Sequence, residues 1–356
     1  MITTNPHGAT IRSVTCPTPR LDQGRVQLGH GSGGKMSARL LRDRFLPRFG
    51  NQYLAGLGDG ARVPVEGTEV VMSTDTFVVS PLEFPGGNIG HLAVHGTVND
   101  IAMMGAAPRY LSAGFVLEEG LDFEVLDRIL DAMTETAAEC GVEIVTGDTK
   151  VVDRGKADGL FVNTTGVGFL TGSFRPSPEL ARPGDAVLVS GPLGRHGMAI
   201  MAAREGLSFE ADIESDTASL SPLVEALRDS IGDRVRCLRD ATRGGLASAL
   251  NEIAQASGAG VVLEGDLPVP APVEAACEML GLDPLYVANE GVMVAFVAPE
   301  AEADALAALR RHAVGATAVS IGRVVADHPG MVVLRTGLGG TRVVDMLPGD
   351  QLPRIC

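Results

Sequence analysis

The sequence predicts a mixed α/β (α+β) protein built from two domains of similar size. Its 356 residues exceed what one typical hydrophobic core serves. Strand-like and helical patterns alternate on both sides of one proline-rich segment. A composition of 45% hydrophobic and 21% charged residues is that of an ordinary globular chain. We expect a disordered extension over 1–25, domains over 26–172 and 183–346, and a mobile tail over 347–356.

In the first domain, β-branched runs indicate strands, and apolar residues at helical spacing indicate helices. After a glycine-rich stretch, a helical pattern begins near Ala38. In chain order there follow a strand in "EVVMSTDTFVVS", a helix in "GNIGHLAVHGTVNDIAMMG", a strand in "RYLSAGFVLEE", a helix in "FEVLDRILDAMTETAAEC", a short buried strand in "VEIVTG" and a strand in "LFVNTTGVGFL".

Residues 171–185 contain three prolines and few apolar side chains, so they are the predicted linker. A second α/β series follows. Its predicted elements are strand "AVLVSG", helices from about Arg195, over 217–229 and from Gly244, strand "AGVVLE", helix 271–281, strand "GVMVAFV", helix 299–313 and short strands over 317–325, 331–335 and 342–346.

The charge balance is strongly acidic, with 29 basic against 44 acidic residues and a net charge of −15. Such a surface repels phosphate backbones and anionic lipid, so we expect no nucleic-acid and no membrane partner. No apolar run reaches the ~18–20 residues of a membrane span, and the N-terminus lacks the apolar core of a signal peptide. Five scattered cysteines without a C-x-x-C pair favour free thiols and a cytoplasmic location.

The stretch "GHGSGGK", residues 29–35, fits the phosphate-cradling pattern G-x-x-x-x-G-K. However, Met36 stands where a true P-loop needs a hydroxyl for Mg²⁺, and the preceding "QGRVQL" is a poor buried strand. A P-loop NTPase is therefore a minority interpretation. A weaker hypothesis remains, in which this glycine segment covers phosphates with its backbone N–H groups and Lys35. The other open interpretation is a flexible loop that binds no ligand.

Acidic residues end several apolar runs of the first domain. Each alone is typical of a helix cap or a turn. Together they indicate a site for a hard cation, which prefers carboxylate oxygens from several loops. An acidic protein needs such cations to hold a triphosphate, so we expect Mg²⁺ and ATP here. The acids are Asp59, Asp75, Asp100 and Asp148, with Asn99 beside Asp100.

The motif "RDATRGGLASALNEIA" opens a helix whose free N–H groups suit an anion, although a plain helix start capped by Thr242 explains it equally well. Lys150 in "GDTKVV" and Glu290 in "VANEGVMV" stand between loops and apolar runs, where a solvated side chain is the ordinary interpretation.

The chain ends in "LPGDQLPRIC", with two prolines and a glycine before Cys356. A solvated tail of this kind gives its last residue no packing role, so a terminal thiol points to chemistry. Ten residues reach at most about 33–36 Å when extended, enough to carry Cys356 out of an interdomain cleft. Arg354 is expected to favour its thiolate.

These motifs occur together and in one order in a known family. "STDTFVVSPLEFPGGNIG", "GTVNDIAMMGAAPRYLS", "IVTGDTKVV", "RDATRGGLA", "ANEG" and the terminal "LPRIC" closely resemble the HypE family of hydrogenase expression/formation proteins, maturation factors for nickel–iron hydrogenases. The match covers about residues 25–356. The wider superfamily includes aminoimidazole ribonucleotide synthetase and selenophosphate synthetase, which lack the terminal Pro-Arg-Ile-Cys.

The resemblance implies an ATP-dependent carbamoyl dehydratase. A partner carbamoyltransferase places a carbamoyl group on Cys356, and the enzyme dehydrates it to a thiocyanate. The cyano group then passes to an iron centre held by other maturation proteins. The implied fold is that of aminoimidazole ribonucleotide synthetase, dimeric through the first domains.

The same likeness assigns the site residues. Cys356 is the modified residue, and Glu290 and Lys150 lie beside it; which of the two is the base stays open. The Mg²⁺ ligands are Asp59, Asp75, Asp100 and Asp148. The implied ATP-binding residues are Gly33, Gly34, Lys35, Asp75, Asn99, Gly147, Asp148, Asp240 and Thr242.

Two alternatives remain at this stage. One is a phosphotransferase of the same superfamily that acts on a free small molecule. The other is a non-catalytic binding module whose tail is only a docking peptide.

Overall fold

The computed structural model describes residues 34–45, 47, 52, 59, 61–65, 68–170, 172–206, 213–335, 339–347, 352 and 354–356. The predicted extension over 1–25 and the predicted phosphate-covering Gly33 lie outside these residues. The mixed two-domain α/β architecture is confirmed.

The first domain contains a five-stranded sheet, a short hairpin and three helices. The strands are β1 (Ala61–Val65), β2 (Thr68–Phe77), β5 (Ala106–Glu118), β6 (Glu143–Val152) and β7 (Leu160–Leu170), and β3 (Glu83–Phe84) and β4 (Gly87–Asn88) form a separate two-stranded hairpin. The sheet order is β1-β2-β7-β5-β6, antiparallel except for the parallel pair β5–β6. The helices are α1 (Lys35–Leu40), which continues as a π-helical turn over Leu41–Phe45, α2 (Ile89–Met103) and α3 (Phe123–Glu139).

The second domain is built on a seven-stranded mixed sheet. Its strands are β8 (Ala186–Val189), β9 (Val235–Asp240), β10 (Gly260–Leu263), β11 (Met293–Val297), β12 (Val319–Val325), β13 (Val332–Arg335) and β14 (Thr341–Val344), in the order β14-β13-β10-β12-β8-β11-β9. Its helices are α4 (Arg195–Glu205), α5 (Ser221–Ile231), α6 (Gly245–Ser257), α7 (Ala271–Leu280) and α8 (Glu302–Leu309).

Helix α2 reaches the sheet of the first domain so closely that the facing strand needs glycine. A Cβ on Gly168 would lie 2.3 Å from Ile101 Cγ2 and 2.9 Å from the Ala107 carbonyl oxygen. The start of α2 is fixed by a capping box in which the Asn88 side chain accepts the N–H groups of Gly90 and His91. This anchored helix brings Asn99 and Asp100, near its last turn, to the border with the second domain.

The two domains are joined by buried polar contacts at that border. The Asn99 amide donates to the Ala218 carbonyl at 3.0 Å and accepts the Leu220 N–H at 2.8 Å. The Arg62 guanidinium donates to the carbonyls of Met104 and Pro176. These contacts hold the C-terminal end of α2 beside the second sheet, where the candidate site lies.

Two strands differ from the sequence-based expectation. The run "VEIVTG" was expected to be short and buried, but β6 is a ten-residue edge strand whose side chains are exposed from Glu143 to Val151. It pairs with β5 alone among the described strands, so only one side of its backbone is covered. The strand β9, which precedes the "ATRGG" turn, was not predicted because its sequence "VRCLRD" is half charged.

None of the helices in the described part of the chain has the length and apolar character that a membrane span requires.

Candidate active site

The site is an acidic cluster at the border of the two domains, and the space beside it is called the acidic cleft below. Three carboxylates meet there from three elements: Asp59 before β1, Asp100 on α2, and Asp240 at the end of β9. One ligand atom from each lies within 4.8 Å of the other two. The Ser73 hydroxyl donates to Asp100 at 2.6 Å and to the Asp59 carbonyl at 2.9 Å, so β2 ties the first two together.

An arginine that the sequence analysis did not single out organises one side of this cluster. The Arg239 guanidinium lies 2.6 Å from the Asp59 carboxylate and also pairs with Glu252 on α6. Only 11% of its side chain is exposed. Its position one residue before Asp240 is the only feature of the sequence that could have pointed to it.

The cluster carries more negative charge than its arginine neutralises. Burial, together with nearby carboxylates, raises the pKa of Asp240 to about 8 and that of Asp59 to about 6, although Arg239 opposes both shifts. Burial and the neighbouring Asp240 and Asp59 also raise the pKa of Asp100 well above its ordinary value. Carboxyl groups that resist ionisation side by side are a suitable donor set for a hard cation.

Asp75 lies on β2, two residues beyond Ser73, and faces the second domain. Its carboxylate is 3.3 Å from the Arg243 guanidinium, which stands in the turn between β9 and α6. Burial raises the Asp75 pKa, whereas Arg243 lowers it. Asp75 is therefore next to the cluster, with a cationic partner of its own.

The C-terminal cysteine lies inside this cleft. Cys356 is 5% exposed, Ile355 is 4% exposed, and both belong to the hydrophobic core that contains residues of α2, α4 and α7. The sequence left the resting position of the tail open. In the described state main-chain contacts with both domains dock its end, although the local prolines predict an irregular chain.

The carboxyl group of Glu290 acts electrostatically on the buried thiol of Cys356. Burial raises the pKa of this thiol most, Arg243 lowers it, and Glu290 raises it again. The arginine expected to favour the thiolate was Arg354, but Arg354 pairs with Asp158 at the surface instead. Arg243 is the cationic group that acts on the thiol.

Glu290 is held by its own main chain. Its N–H donates to the Asp216 carboxylate at 2.8 Å, and burial raises its pKa well above the ordinary value. The next residue, Gly291, approaches the Asp216 carbonyl so closely that a Cβ would lie 1.8 Å from that oxygen. The glycine of "ANEG" therefore allows the chain to pass this close to Asp216 just before β11. The Glu290 side chain then faces the tail.

Lys150 and Asp148 lie elsewhere in this chain. The two side chains pair with each other at 2.7 Å on β6 and are 70% and 73% exposed. Three strand spacings, about 14 Å, separate β6 from β2 and Asp75. Gly147 precedes Asp148 on the same strand, where a Cβ would lie 2.4 Å from the Ala113 carbonyl. The structure therefore does not bring these three residues to the cluster within one chain.

The other predicted site residues have identified contacts. Gly34 is buried, and the Lys35 N–H donates to the Leu347 carbonyl at 2.8 Å while its ammonium pairs with Asp345. Thr242 accepts the Gly245 N–H through its carbonyl at 2.9 Å. The cap of α6 is Gly244, not the Thr242 side chain.

A two-domain α/β fold with a carboxylate cluster at the border of the domains defines the class of the protein. Residues 58–170 match the AIR synthase related protein, N-terminal domain, and residues 182–334 match the C-terminal domain of the same family.

Full-length relatives narrow the assignment. The chain is 55% identical over 334 residues to carbamoyl dehydratase HypE of Bradyrhizobium diazoefficiens, covering 94% of this chain and 96% of that protein. A crystal structure of hydrogenase maturation protein HypE in complex with ATP is 50% identical, covers 92% of this chain and 98% of that one, and has a TM-score of 0.78. A HypE in a HypE–HypF complex is 44% identical, with 86% and 99% coverage and a TM-score of 0.82. The chain belongs to the HypE family of hydrogenase maturation proteins.

Proposed function

We propose that this chain uses ATP to dehydrate a carbamoyl group carried on the thiol of its own Cys356, yielding a thiocyanate. The burial of Cys356 and Glu290 together at the acidic cluster, where the Glu290 carboxyl raises the pKa of the Cys356 thiol, is the observation that carries the proposal. In the reaction the S–C bond is kept, the carboxamide oxygen leaves with phosphate, and nitrogen loses two protons. The cyano group then serves as the cyanide ligand of the hydrogenase iron.

Glu290 is the base of this proposal. A carboxylate withdrawn from water has a raised pKa, so it accepts a proton more readily once ionised. Its contact with Cys356 places it beside the carbamoyl nitrogen that the thiol would carry. Arg243, between Asp75 and the thiol, supplies the positive charge that keeps the tail end and the carboxylates together.

The cation of the proposed site is Mg²⁺, and the carboxylates present fit it. Asp59, Asp100 and Asp240 offer ligand atoms close together, and burial together with neighbouring carboxylates raises their pKa values, a strain that a bound cation would relieve. ATP bound with Mg²⁺ supplies the phosphoryl group that turns the carboxamide oxygen into a leaving group. The residues Asp75, Asp148, Gly33, Gly34, Lys35, Asn99, Gly147, Asp240 and Thr242 remain the proposed contacts of the nucleotide or its metal.

The protein partners follow from the reaction. A carbamoyltransferase must load Cys356, and the HypE–HypF complex of a relative supports a HypF-type donor. An iron-carrying maturation complex must accept the cyanide. Because the reaction needs ATP and a reduced thiol, we place it in the cytoplasm.

A second copy of the chain is the proposed partner of the five-stranded sheet. The edge strand β6 is unpaired on one side within the described residues and exposed along its length. Large apolar side chains are exposed on the same sheet: Met72, Tyr110, Ile144, Val145, Val151 and Phe169. An open edge and an apolar face suit a two-fold, self-complementary interface. Such a dimer would offer Lys150 and Asp148 to the cleft of the other copy.

The test that separates this function from its alternatives is the Cys356→Ala variant, compared with Cys277→Ala. We expect Cys356→Ala to abolish thiocyanate formation and cyanide transfer while Cys277→Ala retains them. A phosphotransferase acting on a free small molecule would keep its product formation in Cys356→Ala. A binding module would show no ATP turnover in the wild-type chain when carbamoyl donor and transferase are present.

A further inference from the structure

The docked tail is held by its main chain rather than by its thiol. The last three carbonyl oxygens of the chain each accept a hydrogen bond from elsewhere in the protein. The Val78 N–H donates to the Cys356 carbonyl at 3.1 Å, and the Ser80 N–H donates to the Arg354 carbonyl at 3.3 Å. Residues 78–80, directly after β2, therefore lie alongside the tail and donate hydrogen bonds to it.

Helix α4 supplies the other side of the contact. His196, in its first turn, donates from Nε2 to the Ile355 carbonyl at 2.6 Å. Because a carbonyl oxygen can only accept, Nε2 carries the proton, and Nδ1 of the neutral ring then accepts from the Ser215 hydroxyl at 2.8 Å. His196 is fully buried, and its ring packs edge-on against Phe84 with centroids 5.6 Å apart.

Arg204, in the last turn of α4, bridges the tail and the first domain. Its guanidinium donates to the Arg354 carbonyl at 2.7 Å and to the Ser80 carbonyl at 3.0 Å from Nε and 2.8 Å from Nη2. A planar guanidinium can serve both acceptors at once, which a lysine ammonium on a flexible stem does less well.

Side chains complete the docking. Leu352 of the tail, 7% exposed, packs over Gly197, where a Cβ would lie 3.2 Å from Leu352 Cδ1. Arg354 pairs with Asp158 of the first domain, and its backbone adopts a left-handed conformation with φ of 59°. A non-glycine residue in this region is held there by its surroundings.

We propose that His196 and Arg204 are positioning residues that form a latch on the main chain of the C-terminal tail, and that this latch sets the fraction of molecules with Cys356 docked beside Glu290. None of its hydrogen bonds involves the thiol, so the latch holds the tail in one register whether Cys356 is free or carries a carbamoyl group. The catalytic consequence rests on the proposed function, but the docking itself does not.

The test measures how fast Cys356 is alkylated by iodoacetamide in the full chain at neutral pH, read by mass spectrometry of the C-terminal peptide. The buried Cys237 and Cys277 serve as internal references. We expect Arg204→Gln to raise the alkylation rate about ten-fold, because a hydrogen bond from a charged donor is lost. Arg204→Lys should give an intermediate rate, and Arg228→Gln, which removes a surface arginine paired with Asp229, should match the wild type.

Thermal unfolding checks whether Arg204→Gln is folded. A second variant tests the docking of the tail independently of Arg204→Gln. Asp158→Asn removes the partner of Arg354 at a half-exposed position and should raise the alkylation rate about two-fold, since exposed ion pairs contribute little. Unchanged alkylation in both variants, or an equal rise in Arg228→Gln, would overturn the latch.

A separate experiment tests whether the latch affects the rate of dehydration. In a chain already carbamoylated on Cys356, Arg204→Gln should slow dehydration about ten-fold without changing the KM for ATP, whereas loading by the transferase should not slow. An increased KM for ATP with a normal dehydration rate would contradict a positioning role. Because alkylation needs neither ATP nor carbamoyl donor, its result is independent of the proposed function.

Discussion

The buried thiol of Cys356, the last residue of the chain, interacts with the carboxyl group of Glu290, which precedes β11 and raises the pKa of the thiol. The contact joins a tail of irregular structure to a loop that the second sheet and the Asp216 segment hold in place. It brings the Cys356 sulphur next to a buried carboxyl group at the border of an acidic cluster. The predictions below follow from this arrangement and from the cluster.

Glu290→Gln should slow dehydration of the carbamoylated tail about 100-fold or more, because the amide keeps the shape of the side chain but cannot accept the proton. Loading of Cys356 by the transferase should be unaffected. Single-turnover conversion of the pre-loaded chain measures this, with Glu278→Gln, an exposed glutamate on α7, as the matched control. Equal conversion rates in Glu290→Gln and the control would assign the base elsewhere.

Asp240→Asn should lower the Mg²⁺-dependent ATP turnover about 100-fold, because it removes a carboxylate from the cation cluster. Asp266→Asn, in an exposed loop of the same domain, is the control. Turnover is measured as phosphate release in the presence of the carbamoyl donor and transferase. Normal turnover and an unchanged Mg²⁺ requirement in Asp240→Asn would exclude this cluster as the cation site.

The affinity for Mg²⁺ should rise with pH between about 6 and 8, because Asp59 and Asp240 have pKa values raised to about 6 and about 8 and must lose protons to bind the cation. The raised folded-state values also mean that stability is lost as pH rises through them, so the metal-free protein should melt at a lower temperature at pH 8.5 than at pH 5.5.

Two measurements check this pH dependence. Calorimetric titration with Mg²⁺ should give an observed enthalpy that differs between buffers of different ionisation enthalpy, because binding releases protons. In Asp240→Asn the fall of the melting temperature with pH should be shallower. A melting temperature that is independent of pH in both chains would contradict the raised pKa values.

Asn99→Ala should lower the free energy of unfolding by about 2 kcal/mol, because it leaves the Ala218 carbonyl and the Leu220 N–H without their partner at the domain border. The sequence analysis assigned Asn99 to ATP, and that assignment remains a prediction. Thermal unfolding and the KM for ATP distinguish the two roles. A raised KM with unchanged thermal stability would favour nucleotide binding over the domain contact.

Lys150 and Cys356 should complement each other between chains if a second copy supplies Lys150. Neither Lys150→Ala nor Cys356→Ala alone should convert the carbamoyl group. A mixture allowed to exchange subunits should recover about a quarter of wild-type activity, since half of randomly formed dimers are mixed and each holds one complete site. No recovery in verified mixed dimers would place the action of Lys150 within its own chain, and full activity of Lys150→Ala alone would place Lys150 outside the reaction.

Where the local sequence pattern was strong, it predicted the elements that carry the site residues. The apolar spacing of "GNIGHLAVHGTVNDIAMMG" gave α2, and the β-branched run around Asp75 gave β2, so the positions of Asp75 and Asp100 at element ends followed from sequence. The strand β9 was missed because two arginines and an aspartate break its apolar pattern. Arg239 is buried there only because Asp59 and Glu252 neutralise it, and such long-range pairing leaves no local signal.

The docking of the C-terminal tail could not be predicted from local sequence either. Its prolines and glycine predict an irregular chain, and it is irregular, but docking depends on His196, Arg204 and the segment over 78–80. These groups are distant in sequence and recognise carbonyl oxygens, which every residue possesses. No property of "LPRIC" itself encodes that contact. The edge position of β6 likewise depends on the sheet order, which the apolar run "VEIVTG" cannot specify.

The most direct test of the central claim is mass spectrometry of the C-terminal peptide after the chain has been incubated with ATP, carbamoyl phosphate and the partner transferase. The account predicts that the peptide ending in Cys356 first gains a carbamoyl group and then loses one water, and that Glu290→Gln stops at the carbamoylated stage. A carbamoyl group found on Cys140 or Cys277 instead, or one on Cys356 that never loses water when ATP is supplied, would contradict it.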